Sequence, residues 1–265
     1  MKKIVAALLA GACLLLTACS QDDDSKVKVA INTGPDQAIW DVVKKVAHEK
    51  YQLDVEVVSF NDYVLPNEAL RNKDVDANAF QSIPYLEDQS KERGYQFAIL
   101  TNTFVYPIAG YSKKLKNLSE LPDGATVTIS NEATTLGRSL LLLEAKGLIK
   151  LKEDVGFLPT TLDITVNPKH LKFVEVDTPQ LTRTLDDGNV YLSIINNNFA
   201  SQIGLSATRD GLFMEDKASP YVNVMVARSE DKDDPRLAKL VEAFRSDEVV
   251  KKTEEIYKGD AIKGW

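Results

Sequence analysis

The sequence has 265 residues, of which 44% are hydrophobic and 27% are charged, and it contains only 13 glycines and 10 prolines. This composition is that of a globular protein and excludes disordered and collagen-like chains. The formal net charge of −7 argues against nucleic acid as a partner, because polyanions attract proteins with an excess of lysine and arginine.

The first eighteen residues are typical of a secretory signal peptide. Two lysines precede an apolar run over 4–16, which is shorter than the about 20 residues that a membrane-spanning helix needs. The run leads into Leu-Thr-Ala-Cys at 16–19, which resembles the lipoprotein box of bacteria, where the cysteine is acylated and becomes the new N-terminus. We therefore expect residues 1–18 to be removed and Cys19 to carry a lipid that holds the protein at a membrane of the cell envelope.

The two cysteines then leave no free thiol in the mature chain. Cys13 lies in the removed peptide and Cys19 is used by the lipid, which excludes disulfides and cysteine catalysis. Residues 19–26 are polar and acidic, and this pattern indicates a solvated tether rather than a metal site. Ser20 stands where inner-membrane lipoproteins of Gram-negative bacteria commonly have Asp, so the choice between inner and outer membrane stays open.

From Lys26 onward, strand and helix patterns alternate, which indicates parallel α/β sheets. The first series predicts strands at 27–31, 53–60, 75–80 and 96–100 and helices at 36–51, 67–71 and 84–93. The second predicts strands at 126–130, 172–176 and 190–195 and helices at 135–146 and 179–186. A last strand at 221–228 and helices at 235–246 and 247–257 are most simply a return to the first unit.

This order of elements predicts two α/β domains with a ligand cleft between them. One domain comprises 27–111 together with 221–265, and the other comprises 112–220. Ligands of such sheets bind beyond the carboxyl ends of strands, so the candidate site residues should follow strands.

Motifs of enzymes are absent from the sequence. It has no G-x-S-x-G, no H-E-x-x-H, no Walker loop and no G-x-G-x-x-G. His48 lies among lysines late in a predicted helix and His170 lies in a predicted loop, so both are expected at the surface. We expect neither catalysis nor a metal site nor a cofactor.

Arg138 is the sharpest candidate for ligand binding. It lies in the first turn of the helix that follows the strand 126–130, near Asn131 and Thr134, where an arginine fork and free backbone N–H groups suit a carboxylate. A cation at a helix N-terminus otherwise costs about 0.3–1 kcal/mol. Asn196 follows a strand and Asn223 interrupts one, although either amide could simply pair with local backbone, and Arg138 could be a surface residue.

Six runs of the sequence resemble the methionine-binding lipoproteins of ABC importers, the NlpA/MetQ family, and together they cover essentially the whole mature chain. They are FNDYVLPNEAL (60–70), NTFVYPIAGYSKK (102–114), LGRSLLLL (136–143), ASQIGL (200–205), EDKASPYVN (215–223) and the terminal GW (264–265).

The resemblance implies a lipid-anchored receptor with the two-lobed type II fold of periplasmic binding proteins. Such a receptor closes on L-methionine and delivers it to a membrane permease driven by an ATPase. Arg138 would hold the ligand carboxylate, and Asn196 and Asn223 would bind its amino and carboxylate groups. The other residues expected around the ligand are Tyr63, Phe80, Gln81 and Tyr106 as walls, Asn131 as a further contact, and Ser82 and Thr134 as residues that tune ligand choice.

Two departures from the family pattern leave the identity of the ligand undecided. Relatives usually read Phe-Gln-His where this chain has Phe-Gln-Ser at 80–82, and Asn-Asp-Pro-Thr-Asn where it has Asn-Glu-Ala-Thr-Thr at 131–135. Ser82 either caps the next helix or faces the cleft. The ligand could then be L-methionine, D-methionine, the sulfoxide or a dipeptide. A lipid-anchored hydrolase and an adhesin with a vestigial cleft are the alternatives from other classes.

Overall fold

A computed structural model of the chain describes residues 25–216 and 219–265. The predicted signal peptide, the predicted lipid site at Cys19, nearly all of the tether and the pair at 217–218 lie outside these residues. Within the described part, none of the helices combines the length and the apolar character that crossing a membrane requires.

The elements are named here in chain order. The strands are β1 (Lys26–Asn32), β2 (Asp54–Phe60), β3 (Ala77–Ser82), β4 (Phe97–Val105), β5 (Ala109–Tyr111), β6 (Thr126–Ser130), β7 (Lys150–Leu151), β8 (Ile164–Val166), β9 (Lys172–Val176), β10 (Val190–Ile195), β11 (Phe213–Met214), β12 (Val222–Arg228) and β13 (Ile262–Lys263). The helices are α1 (Asp36–Tyr51), α2 (Leu65–Arg71), α3 (Ile83–Arg93), α4 (Ala133–Ala145), α5 (Leu181–Thr184), α6 (Asn197–Gln202), α7 (Ala207–Asp210), α8 (Pro235–Phe244) and α9 (Asp247–Tyr257).

Sheet A is a mixed sheet with the strand order β13-β4-β12-β3-β1-β2. Strand β1 is parallel to both β2 and β3, whereas β12 runs antiparallel between β3 and β4. The chain therefore returns to its first unit, and β12 lies inside sheet A. The alternation of strands and helices predicted a purely parallel sheet, whereas sheet A is mixed. Its core packs Trp40 of α1, Phe104 of β4 and Phe244 of α8 together.

Sheet B has the strand order β11-β5-β10-β6-β9. Strands β10, β6 and β9 are parallel, and the short strands β5 and β11 add antiparallel to one edge. Strand β5 pairs with β10, so the chain passes from sheet A to sheet B at 106–108, ahead of the boundary that we expected at 111. The pattern missed this because β5 has three residues, too few to show an alternation of its own.

The carboxyl ends of β1, β3, β6 and β10 bring polar residues to the space between the two sheets. Each of these strands is followed directly or within a few residues by a helix, namely α1, α3, α4 and α6. The strand ends and the first turns of these helices together build one pocket, and its residues come from both sheets.

Candidate ligand-binding site

A pocket lies between sheets A and B, and its empty space of about 680 Å³ includes open solvent. The residues that line it are Asn32, Asp36, Tyr63, Phe80, Gln81, Ser82, Tyr85, Tyr106, Thr134, Thr135, Arg138, Asn196, Asn197, Asn198, Tyr221, Asn223 and Tyr257. Of the ten predicted ligand-contacting and ligand-tuning residues, Asn131 is missing from this wall.

The N-terminus of α4 is capped by Glu132, a residue that the sequence analysis did not single out. Its carboxylate accepts hydrogen bonds from the backbone N–H of Thr134 at 3.0 Å and of Thr135 at 2.8 Å, and from the Thr134 hydroxyl. An acid at this position also interacts favourably with the helix dipole. The free N–H groups that we expected to bind a ligand anion are therefore partly used, and the Thr134 hydroxyl bonds to Glu132.

Arg138 is 8% exposed and lines the pocket, but its charge is already paired with Glu215. Its Nε donates to Glu215 Oε1 at 3.0 Å, and its Nη2 donates to Glu215 Oε2 and, at 3.0 Å, to the backbone oxygen of Tyr106. The guanidinium also lies 4.3 Å from the centre of the Tyr221 ring. Only Nη1 is without a hydrogen-bond partner among the described residues, so it is the part of the guanidinium that can still pair with an anion.

Sequence reasoning missed Glu215 because the pairing joins residues 77 positions apart. Glu215 lies just after β11, in the run EDKASPYVN that carries part of the family resemblance. The pair could have been predicted from two signals together: an acidic residue within a run shared with the family, and an arginine whose charge had no predicted partner. Both side chains are nearly buried, so each charge loses its hydration. The ion pair offsets this cost for both groups and fixes the guanidinium in place.

Aromatic rings form one wall of the pocket. Tyr63 lies 6.1 Å from Phe80 and 6.1 Å from Tyr85 between ring centres, and Phe80 lies 6.0 Å from Tyr85. Burial raises the pKa of the Tyr63 and Tyr85 hydroxyls well above the usual value, so both stay neutral donors. Tyr85 donates to the backbone oxygen of Tyr63 at 2.7 Å. Such a wall suits an apolar or thioether side chain.

Gln81 lines the pocket, but its amide belongs to the protein interior. It exchanges hydrogen bonds with Asn67 at 2.8 and 2.9 Å and donates to Asn78 Oδ1 at 2.9 Å. All three amides are nearly inaccessible to solvent. The network fixes the end of β3 and uses both N–H donors of Gln81 within the protein.

The two asparagines predicted to bind the ligand differ in how their amides are used. Asn223 donates from Nδ2 to the backbone oxygen of Phe80 at 3.0 Å, and its Oδ1 has no hydrogen-bond partner in the described part of the chain. Asn196 occupies the N-cap position of α6 without a capping hydrogen bond from its side chain. Both line the pocket, where Asn223 presents its unpartnered Oδ1 and the Asn196 side chain makes a hydrogen bond with Tyr63.

Asn131 does not belong to the pocket. Its side chain is exposed and donates to Asp177 Oδ1 at 2.7 Å, where it ties the end of β6 to the residue after β9. The prediction placed it by its nearness to Arg138 in sequence. Asn131, however, precedes α4, which begins at Ala133, whereas Arg138 lies in the second turn of that helix.

Ser82 lies at the N-cap position of α3 with an extended backbone, but its side chain makes no capping hydrogen bond. It lines the pocket. The sequence left open whether Ser82 caps the helix or faces the cleft. Its position supports the second interpretation and not the first.

Asp36 and Asn32 are pocket residues that the sequence analysis missed. Asp36 is the first residue of α1, and its Oδ1 accepts from the hydroxyls of Tyr257 at 2.6 Å and Tyr106 at 3.3 Å. Burial raises the pKa of the Asp36 carboxyl, although the two hydroxyls act in the opposite direction. Asn32 is 5% exposed, and its Oδ1 is buried without a hydrogen-bond partner in the part of the chain that is described. Both residues present acceptors.

Hydrogen bonds also connect the two sheets beside the pocket. The Tyr63 hydroxyl donates to Asn198 Oδ1 at 2.8 Å, and Gln202 Nε2 donates to the backbone oxygen of Thr33 at 2.8 Å. Asn198 and Gln202 belong to α6, so this short helix, which the sequence did not predict, is the element of the sheet B side that contacts the sheet A side here.

Both histidines lie at the surface, as predicted, and neither lines the pocket. His48 contacts Asp54 at 2.8 Å and His170 contacts Asp123 at 2.9 Å, and these side chains are mostly exposed. Across residues 25–216 and 219–265, no group of three or more histidine, cysteine or acidic side chains is arranged to hold a metal ion.

The model of the NlpA lipoprotein family matches residues 27–265 of the chain. Over 254 residues the chain is 55% identical to the D-methionine-binding lipoprotein MetQ of Escherichia coli strain K12, a match that covers 95% of this chain and 94% of that protein. It is 49% identical to outer membrane lipoprotein 2 of Mannheimia haemolytica, with 100% and 99% of the two chains covered. A solved structure of a nutrient-binding protein from Burkholderia cenocepacia bound to methionine is similar with a TM-score of 0.87 and 44% identity, covering 90% of this chain and 100% of that chain.

These likenesses confirm the predicted α/β fold of the two-lobed periplasmic-binding-protein type. They extend over nearly the whole of the described chain. On the evidence of the family match and of relatives above 50% identity, the chain belongs to the NlpA lipoprotein family.

Proposed function

We propose that the protein is a lipid-anchored receptor that binds methionine, L-methionine in the first place, and delivers it to an ABC importer. The observation that carries this proposal is the combination of a buried, positioned Arg138 with an aromatic wall in one pocket. A bound carboxylate needs a cation once water is excluded, and a thioether gains about 0.3–1.5 kcal/mol from the edge of an aromatic ring.

In this arrangement the ligand carboxylate binds Arg138 Nη1, and the amide of Asn223 fixes the head group. Its side chain then runs along Tyr63 and Phe80. Since Arg138 comes from the sheet B side and Phe80 from the sheet A side, the ligand favours the arrangement in which both sides contact it. A permease with its ATPase, as partner, would recognise that closed form, and the lipid on Cys19 would keep it at the cell envelope.

The ligand is identified by isothermal titration calorimetry with L-methionine, D-methionine, methionine sulfoxide and a methionine-containing dipeptide. We expect the L-isomer to bind most tightly. The relatives with D-methionine in their names make the D-isomer the main competitor. A ligand at about a hundred times its Kd adds about 2.7 kcal/mol of stability, which a thermal unfolding scan detects. Absence of both signals for every compound would favour an adhesin, and chemical change of the recovered ligand would favour a hydrolase.

Replacing Asn223 by alanine is expected to weaken methionine binding at least tenfold, which corresponds to about 1.4 kcal/mol. The reason is that its unpartnered Oδ1 lines the pocket while its Nδ2 holds the backbone of Phe80. Asn131→Ala is the matched control, because it removes the same amide from an exposed site outside the pocket. We expect the control to stay within twofold of wild type, and an unchanged Kd for Asn223→Ala would remove this residue from the site.

A further inference from the structure

The charges that line the pocket do not balance. Asp36 and Arg138 are the charged residues among the lining side chains of the described chain, and Arg138 is already neutralised by Glu215. Asp36 has no ion-pair partner in the described residues, so its carboxylate is the uncompensated charge of this site. An ionised carboxylate out of water is costly without a donor or a cation beside it.

The hydrogen bonds of Asp36 are one-sided. Both tyrosine hydroxyls, those of Tyr257 and Tyr106, donate to Oδ1, whereas Oδ2 has no partner within residues 25–216 and 219–265. A second acceptor in the same wall, Oδ1 of Asn32, is buried and also has no donor. The Nδ2 of the same amide lies 3.5 Å from the backbone oxygen of Asp62.

Two unpartnered acceptors, one of them an anion, need a cationic group with several N–H donors. We propose that Asp36 is a specificity-determining residue that selects ligands with a protonated primary amine, which it receives at Oδ2 while Asn32 Oδ1 accepts a further N–H; this inference rests on the proposed function. Asp36 and Asn32 bracket the turn from β1 to α1 in sheet A, whereas Arg138 belongs to the sheet B side. An α-amino acid would therefore have its ammonium and its carboxylate held from opposite sides of the pocket.

The test compares L-methionine with 4-(methylthio)butanoic acid, which keeps the carboxylate and the thioether chain but lacks the amine. Calorimetry on the wild-type protein is expected to show binding of L-methionine at least a hundredfold tighter. Asp36→Asn keeps the shape of the side chain and removes its charge, so it should weaken L-methionine at least tenfold and change binding of the desamino compound less than twofold. Asp41→Asn, an exposed aspartate on the same helix, is the matched control and should leave both affinities within twofold.

Two results would overturn the inference while methionine binding itself stands. One is an Asp36→Asn protein in which the ratio of the two affinities stays within twofold of wild type. The other is a wild-type protein that binds the desamino compound within threefold of L-methionine, a comparison that remains decisive even if the variant does not fold. Wild-type protein that gives no heat with L-methionine would instead overturn the proposed function.

Discussion

Replacing Arg138 by alanine is expected to lower the free energy of unfolding of the ligand-free protein by about 3–5 kcal/mol, in addition to removing methionine binding. The variant leaves Glu215 as a nearly buried carboxylate without its cation, and it also removes the donor to the backbone oxygen of Tyr106. Urea unfolding followed by circular dichroism measures the loss of stability, and calorimetry measures the loss of affinity.

A second variant separates the two effects. Arg138→Ala combined with Glu215→Ala removes both charges, so it is expected to recover much of the stability that the single variant loses but none of the affinity. If the double variant binds methionine within tenfold of wild type, Arg138 is not the carboxylate site. If the single variant is as stable as wild type, the pair with Glu215 does not contribute to the fold.

Replacing Gly137 by alanine is expected to destabilise the protein by about 3 kcal/mol, at the upper end of what overpacking usually costs. A β-carbon at this position would lie 2.3 Å from the backbone oxygen of Phe157 and 2.9 Å from Pro159 Cδ. The neighbouring loop cannot yield cheaply, because the ring of Phe157 packs on Tyr221, which itself lies over Arg138. Gly137 is therefore needed for the close approach that supports the arginine.

The control for this prediction is Gly188→Ala, since nothing lies within 4 Å of the β-carbon that it would add. We expect this variant to differ from wild type by less than about 0.5 kcal/mol, as is usual for surface substitutions. Equal unfolding midpoints for the Gly137 and Gly188 variants would contradict the steric argument. If Gly137→Ala instead is as stable as wild type but binds methionine more weakly, the substitution acts by displacing the guanidinium of Arg138.

Local patterns in the sequence were enough to predict the long elements. Helix α1 and strands β6 and β10 lie at the predicted residues, because their apolar periods of 3.6 and 2 extend over whole elements. The short elements β5, α6 and α7 escaped prediction, because pieces of three to six residues carry no period. They form only because sheet B and the chain around it supply partners for them.

The candidate site could be predicted in part for the same reason. Arg138 was found because the predicted helix began at 135 and so placed an arginine in its first turn, where a cation is locally unfavourable. In the structure α4 begins at Ala133, and Arg138 lies in the second turn. Glu215 was missed because its role depends on a contact across the fold. Asp36 was missed because an acid that begins a helix is ordinary, and only burial beside Tyr257 and Tyr106 makes it unusual.

The buried carboxyl of Asp36 also connects ligand binding to proton release. Since burial raises its pKa above the usual 3.8, the folded protein keeps a proton on this group in a range where the unfolded chain has released it. The resulting stability is fully present below 3.8 and is lost as the pH rises through the pKa of the folded state. A ligand ammonium at Oδ2 would expel that proton, so ligand and proton would compete for one oxygen. Acidification of the medium would then weaken the binding of an ammonium ligand at this oxygen.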